Sequence, residues 1–185
     1  ECAGDDPNYA EICDGFDNDC DNETDEGLGE TTCGLGVCFH TQQNCVNGAP
    51  KTCDPFEGKS TNDLPDTSFT DSNCDGIDGN INDAIFVDGA TGKNNDPGTM
   101  DQPVKTISLG LAEAKKLGKS SVYVSKGSYS GQVVLVEGVS LYGGFNAADN
   151  WSRSESHPTT LQGHVNPLYG SQLTTEVTVA RFEIV

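Results

Sequence analysis

Eight cysteines, at positions 2, 13, 20, 33, 38, 45, 53 and 74, all fall within the first 83 of the chain's 185 residues. A stretch so rich in cysteine and so poor in large apolar side chains cannot rest on a hydrophobic core. It needs cross-links instead. The spacing contains no Cys-x-x-Cys pair, and carboxylates rather than histidines surround the cysteines. That pattern favours disulfides over a zinc module. Cys2, Cys13, Cys20, Cys33, Cys38, Cys45, Cys53 and Cys74 are therefore expected to be paired, in an oxidising compartment. Spacing leaves the pairing open; a Cys13–Cys20 bond is one arrangement, and it would close the lip of the loop between them.

The charge changes at the same place as the cysteines. Of the chain's net charge of -19, nearly all belongs to residues 1–83, which hold 20 of the 29 acidic residues against only Lys51 and Lys59. Two independent properties thus place a boundary near Asp83, between a metal-binding module at 1–83 and a second domain at 84–185. The acidity argues against nucleic acid or anionic membranes as partners, and for cations. There is no signal peptide and no apolar run long enough to span a bilayer. Starting at Glu1 without a methionine, the chain reads as a processed product of a secreted or cell-surface protein.

The densest motif is Cys13-Asp-Gly-Phe-Asp-Asn-Asp-Cys-Asp-Asn-Glu-Thr-Asp-Glu26. Asp17, Asp19 and Asp21 stand at positions 1, 3 and 5 of a loop, Asn22 at the turn position 6, and Asp25 at position 9. Alternate carboxylates in such a loop can converge on one hard cation that takes 6–8 oxygen ligands. Asp14 and Glu26 could complete the shell. No helices flank the loop, and Leu28 stands where an EF-hand has its glutamate, so only the ligand rhythm is shared. A second copy runs Asp71-Ser-Asn73-Cys74-Asp75-Gly76-Ile-Asp78, with oxygens again at 1, 3 and 5 and cysteine again at 4. Asn80, Asn82 and Asp83 offer further oxygens. Oxygen ligands and loop flexibility favour calcium over copper, zinc or octahedral magnesium. Clustered carboxylates repel one another until a cation joins them, so binding and folding are expected to be coupled. Asp88, Asn95 and Asp96 form a further candidate site, with simple turn-making as the alternative.

Beyond Asp83 the texture becomes rich in glycine and valine. Ala84–Val87 reads as a strand. Thr106 is expected to cap a helix whose stripe is Ile107, Leu111, Ala114 and Leu117, with Lys115 and Lys116 in the last turn and Gly118 as the stop. Strands are expected at 121–124, 133–136, 139–142, 160–161 and 177–184. Their continuous apolar runs suit burial in a sandwich or a solenoid. Such a helix would suit the cap of a solenoid. The strand-like run at the C-terminal end leaves an edge through which the chain could self-associate.

Two resemblances extend this reading. The segment from Glu11 to Gly27 resembles a metal-binding repeat of secreted proteins of myxobacteria and relatives, a repeat also grouped with a copper-associated surface protein of methanotrophs. Asp71–Gly79 resembles its shorter variant. Asn22 stands where the repeat usually has glycine. Ile85-Phe-Val-Asp88, Asp96-Pro-Gly-Thr99, Gln102–Ile107, Val122–Tyr129, Val139–Phe145, Trp151-Ser-Arg153 and Thr160–Gly163 resemble the opening of right-handed parallel β-helix domains of the pectin-lyase-like class. The fold these imply is mainly β: a disulfide-rich, irregular calcium-binding module, then the start of a parallel β-helix with a short capping helix.

No catalytic constellation stands out. His40, His157 and His164 are scattered and read as structural or surface residues. Tyr142, Phe145, Trp151 and Tyr169 read as core and cap packing, with a sugar-stacking surface as the alternative. The function expected is a calcium-binding structural or adhesive segment of a larger extracellular protein, with calcium ions and a cell-surface polysaccharide or protein as partners. The alternatives are the N-terminal part of a secreted polysaccharide lyase or hydrolase, and a surface protein that handles copper or another metal.

Overall fold

A computed structural model describes residues 10–163 and 165–185; Cys2 and His164 lie outside the described residues. The chain forms two compact units. The first comprises Glu1–Thr61 with Ser72–Cys74, and the second Asn62–Asp71 with Asp75–Val185. This division differs from the expected one near Asp83, and the reason lies in buried polar contacts. Asp63 and Asp78 are both 4% exposed. Asp78 is ion-paired to Arg153, and the Asn80 amide donates to the Tyr123 hydroxyl at 2.9 Å. The segment 62–83 is thus carried by the β-rich unit, apart from Ser72–Cys74.

In the first unit, β1 (Glu30–Cys33) pairs antiparallel with β2 (His40–Gln43), Cys33 opposite His40. β3 (Cys45–Val46) and β4 (Ala49–Pro50) form a second, minimal hairpin. Its turn is Asn47-Gly48, both with positive φ (52° and 74°), the backbone that matches strand twist in two-residue hairpins. The buried apolar side chains described here are Cys38, Cys53 and Cys74, while Ile12, Phe16, Leu35, Val37, Phe39 and Phe56 are exposed. Cross-links therefore take the place of a core. Cys13–Cys45, Cys33–Cys53 and Cys38–Cys74 close separations of 32, 20 and 36 residues. Each contributes about 3–4 kcal/mol in the chain-entropy picture. Cys20 is also disulfide-bonded. The Cys13–Cys20 pairing does not form: Cys13 ties the acidic loop to the β3 hairpin rather than to the loop's own lip.

The second unit is built on parallel pairing. β5 (Ala84–Val87), β6 (Ser121–Ser125), β9 (Ser140–Asn146) and β13 (Val179–Ala180) lie side by side, all parallel. β10 (Ser152–Arg153) turns back antiparallel on β9. A second sheet stacks β7 (Gly127–Ser130), β11 (Thr159–Gln162) and β14 (Phe182–Ile184), again parallel. A third pairs β8 (Val133–Val134) with β12 (Leu168–Tyr169). The chain visits these sheets in the same order on successive passes. The expected single run 177–184 is split at Arg181, whose φ of 64° turns the chain from the first sheet into the second.

Both faces of β5 and β6 are buried, which explains the unbroken apolar sequence of β5 and the Val-Tyr-Val centre of β6. Ile85, Val87, Val122 and Val124 face one core with Val104, Ile107, Leu111, Leu141 and Leu161. Phe86 and Tyr123 face another with Tyr142, Phe145 and Trp151. There Tyr123 stacks on Phe145 at 4.8 Å and Phe86 meets Trp151 edge-on at 4.7 Å. α1 (Ile107–Leu117) begins at Thr106, whose hydroxyl accepts from the Leu109 amide, and ends at Gly118 with φ 67°. Leu117 is 53% exposed and leaves the expected stripe. Gly110 takes the fourth buried place, because a Cβ there would lie 2.6 Å from Val87 Cγ2. No helix among the described residues is long and apolar enough to cross a membrane.

Candidate metal centre

The first acidic loop is folded by its own carboxylates. Glu11 Oε1 accepts from the amides of Asn18 (2.8 Å) and Asp19 (3.0 Å), and its Oε2 from the Asp25 amide (3.0 Å). Asn18, buried, accepts in turn from the Ile12 amide. Asp17 uses both oxygens, Oδ1 for the Cys20 amide (2.7 Å) and Oδ2 for the Asn22 amide (3.2 Å). Asp19 and Asp21 cap the amides of Asp21 and Glu23. Cys20, Asn22 and Asp25 adopt φ of 67°, 76° and 56°, and Asn and Asp tolerate that region better than most residues.

This winding gathers two sets of carboxylates. One oxygen each from Asp17, Asp19 and Asp21 lie within 4.8 Å of one another, and so do one each from Glu11, Asp19 and Glu26. Asp19 belongs to both. Glu26 Oε2 is shielded from solvent and has no hydrogen-bond partner. A backbone hydrogen bond pulls the Glu26 pKa down, but desolvation and the charges of Glu11, Asp21 and Asp19 outweigh it and raise the pKa above the ordinary value. Asp14 and Asp25 fall in neither set. Asp25 Oδ1 instead accepts from the amides of Asp14 and Gly15, and Asp14 Oδ1 from that of Phe16. Glu11 was not among the candidate ligands read from the sequence. Its place two residues before Cys13, inside the repeat-like segment, was the available signal.

The second loop repeats the backbone of the first. Cys74 and Gly76 have φ of 62° and 107°, at the positions of Cys20 and Asn22. Asp71 Oδ2 accepts from the Gly76 amide (2.9 Å) as Asp17 Oδ2 does from Asn22. Asp75 bonds the amides of Ile77 and Ile81. Asn73 is grouped with the first unit, Asp71 and Asp75 with the second.

Two expected ligands serve other purposes. Asp78 Oδ1 accepts from the Asp66 amide and Oδ2 pairs with Arg153 Nη1 at 2.8 Å, both side chains 1% exposed. Burial raises the Asp78 pKa, opposed by the Arg153 bond. Asp83 takes the amide and hydroxyl of Ser120. At the third candidate site Asp88 caps Ala90 and Thr91, and Asp96 the Lys93 amide, while Asn95 is exposed. Each aspartate thus bonds within its own turn.

The remaining candidates resolve individually. Tyr142, Phe145 and Trp151 are buried in the aromatic core, and Tyr169 is 48% exposed. His157 lines an open cleft with Glu155, Thr159, Arg181 and Glu183. Two further clusters, Cys13/Asp25/Cys45 and Cys33/His40/Cys53, contain cysteines already joined as disulfides. Compared with family models, curated proteins and solved structures, the chain has no match.

Proposed function

We propose that the chain is a calcium-stabilised structural or adhesive segment of an extracellular or cell-surface protein. The observation that carries this reading is the convergence of Asp17, Asp19 and Asp21 within 4.8 Å, in a loop pinned by the Cys13–Cys45 bond. Three carboxylates at that separation repel by about 1 kcal/mol per pair even at the dielectric of water. A divalent cation converts that cost into attraction, and an all-oxygen donor set selects a hard one. The recurrence of the same left-handed positions in the second loop supports a repeated binding unit. The disulfides are consistent with an oxidising compartment.

Residues 84–185, on this proposal, are the opening coils of a parallel β-helix with α1 as their cap. The ordered return of the chain to three parallel sheets supports it, as does the burial of both faces of β5 and β6. Such a scaffold would present a surface to a polysaccharide or protein partner. A metal scan by calorimetry tests the reading. Calcium is expected to bind, Asp17→Asn with Asp19→Asn to abolish binding, and tight copper binding without calcium binding would overturn it.

A second reading, a polysaccharide-directed segment, is favoured by the cleft at Glu155, His157, Arg181 and Glu183, about 330 Å³ in volume. Glu155, Thr159, Arg181 and Glu183 line the cleft beside His157 with groups that hydrogen-bond sugar hydroxyls. Glycan-array binding that His157→Ala removes is its expected sign; binding unaffected by that change would refute it.

A further inference from the structure

The β1–β2 hairpin sets Cys33 opposite His40, and the Cys33–Cys53 bond brings a second sulfur to the same point. Cys53 Sγ lies 3.7 Å from His40 Nε2, and Glu57 Oε2 lies 3.3 Å from the same nitrogen. The other ring nitrogen, Nδ1, is 2.7 Å from the Cys38 carbonyl oxygen. A carbonyl only accepts, so Nδ1 carries a proton, which leaves Nε2 as the nitrogen that faces the sulfur and the carboxylate. A backbone carbonyl behind one ring nitrogen is the support that orients imidazole ligands. Glu57 is placed by a tight turn directly after Cys53, its amide donating to the Asp54 carbonyl at 3.1 Å.

One donor atom each from Cys33, His40 and Cys53 already lie within 4.8 Å of one another. Four residue pairs of the hairpin, from Glu30–Gln43 to Cys33–His40, set Cys33 and His40 side by side through the backbone as well as through the disulfide. We propose that Cys33, His40, Cys53 and Glu57 form a redox-gated site for a borderline divalent cation of the zinc class, closed by the disulfide and opened when a dithiol reduces it. Two thiolates, an imidazole and a carboxylate make a four-coordinate set of the kind zinc takes, unlike the all-oxygen sets of the acidic loop.

The opening step balances. A thiolate of the dithiol attacks the half-buried Cys33 Sγ and releases Cys53 as thiolate. The reagent's second thiol then displaces Cys33 and leaves as a cyclic disulfide. Two electrons pass into the Cys33–Cys53 bond, two protons go to solvent, and both protein thiolates take the cation.

Cobalt(II) titration of the full chain, oxidised and dithiol-reduced, tests this. The reduced chain should show the sulfur-to-cobalt charge-transfer band of a tetrahedral thiolate site, and the oxidised chain should not. The band should vanish in Cys33→Ser/Cys53→Ser and persist in Cys13→Ser/Cys45→Ser. His40→Ala should weaken zinc binding by more than the ~10–100-fold that loss of an outer-shell partner costs. A band that survives Cys33→Ser/Cys53→Ser, or its absence from the reduced wild type, overturns the proposal. Cadmium NMR of the reduced wild type needs no variant: a resonance for two sulfurs with nitrogen supports the site, and an all-oxygen or four-sulfur resonance refutes it.

Discussion

Arg153 is the residue whose removal should most damage the β-rich unit. Its guanidinium donates from Nε to the Gly143 carbonyl (3.0 Å) and from Nη1 to the Asp66 carbonyl (2.7 Å) and Asp78 Oδ2 (2.8 Å). It also lies over the rings of Phe69, Tyr142 and Phe145. Both partners of the ion pair are 1% exposed at the side chain. Arg153→Ala would therefore leave a buried carboxylate, the buried Gly143 carbonyl and the partly buried Asp66 carbonyl without this donor. Breaking such a pair from one side costs about 3–5 kcal/mol, because the remaining charge stays desolvated. For a unit of this size that corresponds to a fall in Tm of roughly 10–20 °C. Trp151, the only tryptophan, is buried in the adjacent aromatic core, so its fluorescence reports the transition. Arg153→Met with Asp78→Leu should recover much of the loss, since replacing both partners with apolar groups removes the stranded charge. A single Arg153→Ala variant that melts within about 3 °C of wild type (under ~1 kcal/mol) would refute the reasoning.

Other expected outcomes follow from equally local features. Gly110→Ala gains about 1 kcal/mol of helix propensity, but its Cβ would press on Val87 and Val122. A net loss of about 1–2 kcal/mol is expected by urea unfolding. Cys38→Ser with Cys74→Ser removes the bond whose sulfurs are most buried and should cost about 3–4 kcal/mol, seen as faster proteolysis of residues 10–74. Glu137 accepts from the hydroxyls and amides of Thr174 and Thr175. The Thr175 hydroxyl and Thr174 amide chiefly hold its pKa down to about 2. A folded pKa below the unfolded one gives stability that is present above the ordinary value of about 4.3 and lost as pH falls toward about 2. Glu137→Gln should flatten that part of the Tm-against-pH curve.

What the sequence made legible was set by how local each feature is. The Thr106 and Gly118 caps of α1 depend on neighbours within a turn, and both stand where the sequence placed them. The run at 84–87 showed its double burial directly in unbroken apolar residues, whereas the equally apolar run at 133–136 misled: its strand stops at Val134, which is 49% exposed. The aspartate rhythm at 17, 19 and 21 likewise lies within one short loop, where an oxygen from each comes within 4.8 Å of the others. Features made by distant partners were hidden. Nothing near Asp78 announces Arg153, 75 residues away, so a carboxylate that looked like a ligand belongs to an ion pair. The same holds for Cys13, whose partner Cys45 lies across a hairpin invisible to spacing. Asp25, an expected ligand, also gives one oxygen to the amides of Asp14 and Gly15, contacts that spacing does not show. Leu117 shows the limit of periodicity: it continues the stripe in sequence, but as the last residue of the helix it is 53% exposed.

The measurement that bears most directly on the central claim is amide hydrogen exchange of the chain with calcium and with a calcium chelator. The amides of Asn18, Cys20, Asn22 and Asp25 are bonded to carboxylates of the loop itself, so their protection reports whether a cation braces it. If calcium stabilises this module, exchange at these amides should slow markedly in calcium, while the amides of β5 and β6 stay unchanged. Equal exchange in residues 11–27 under both conditions would contradict the account.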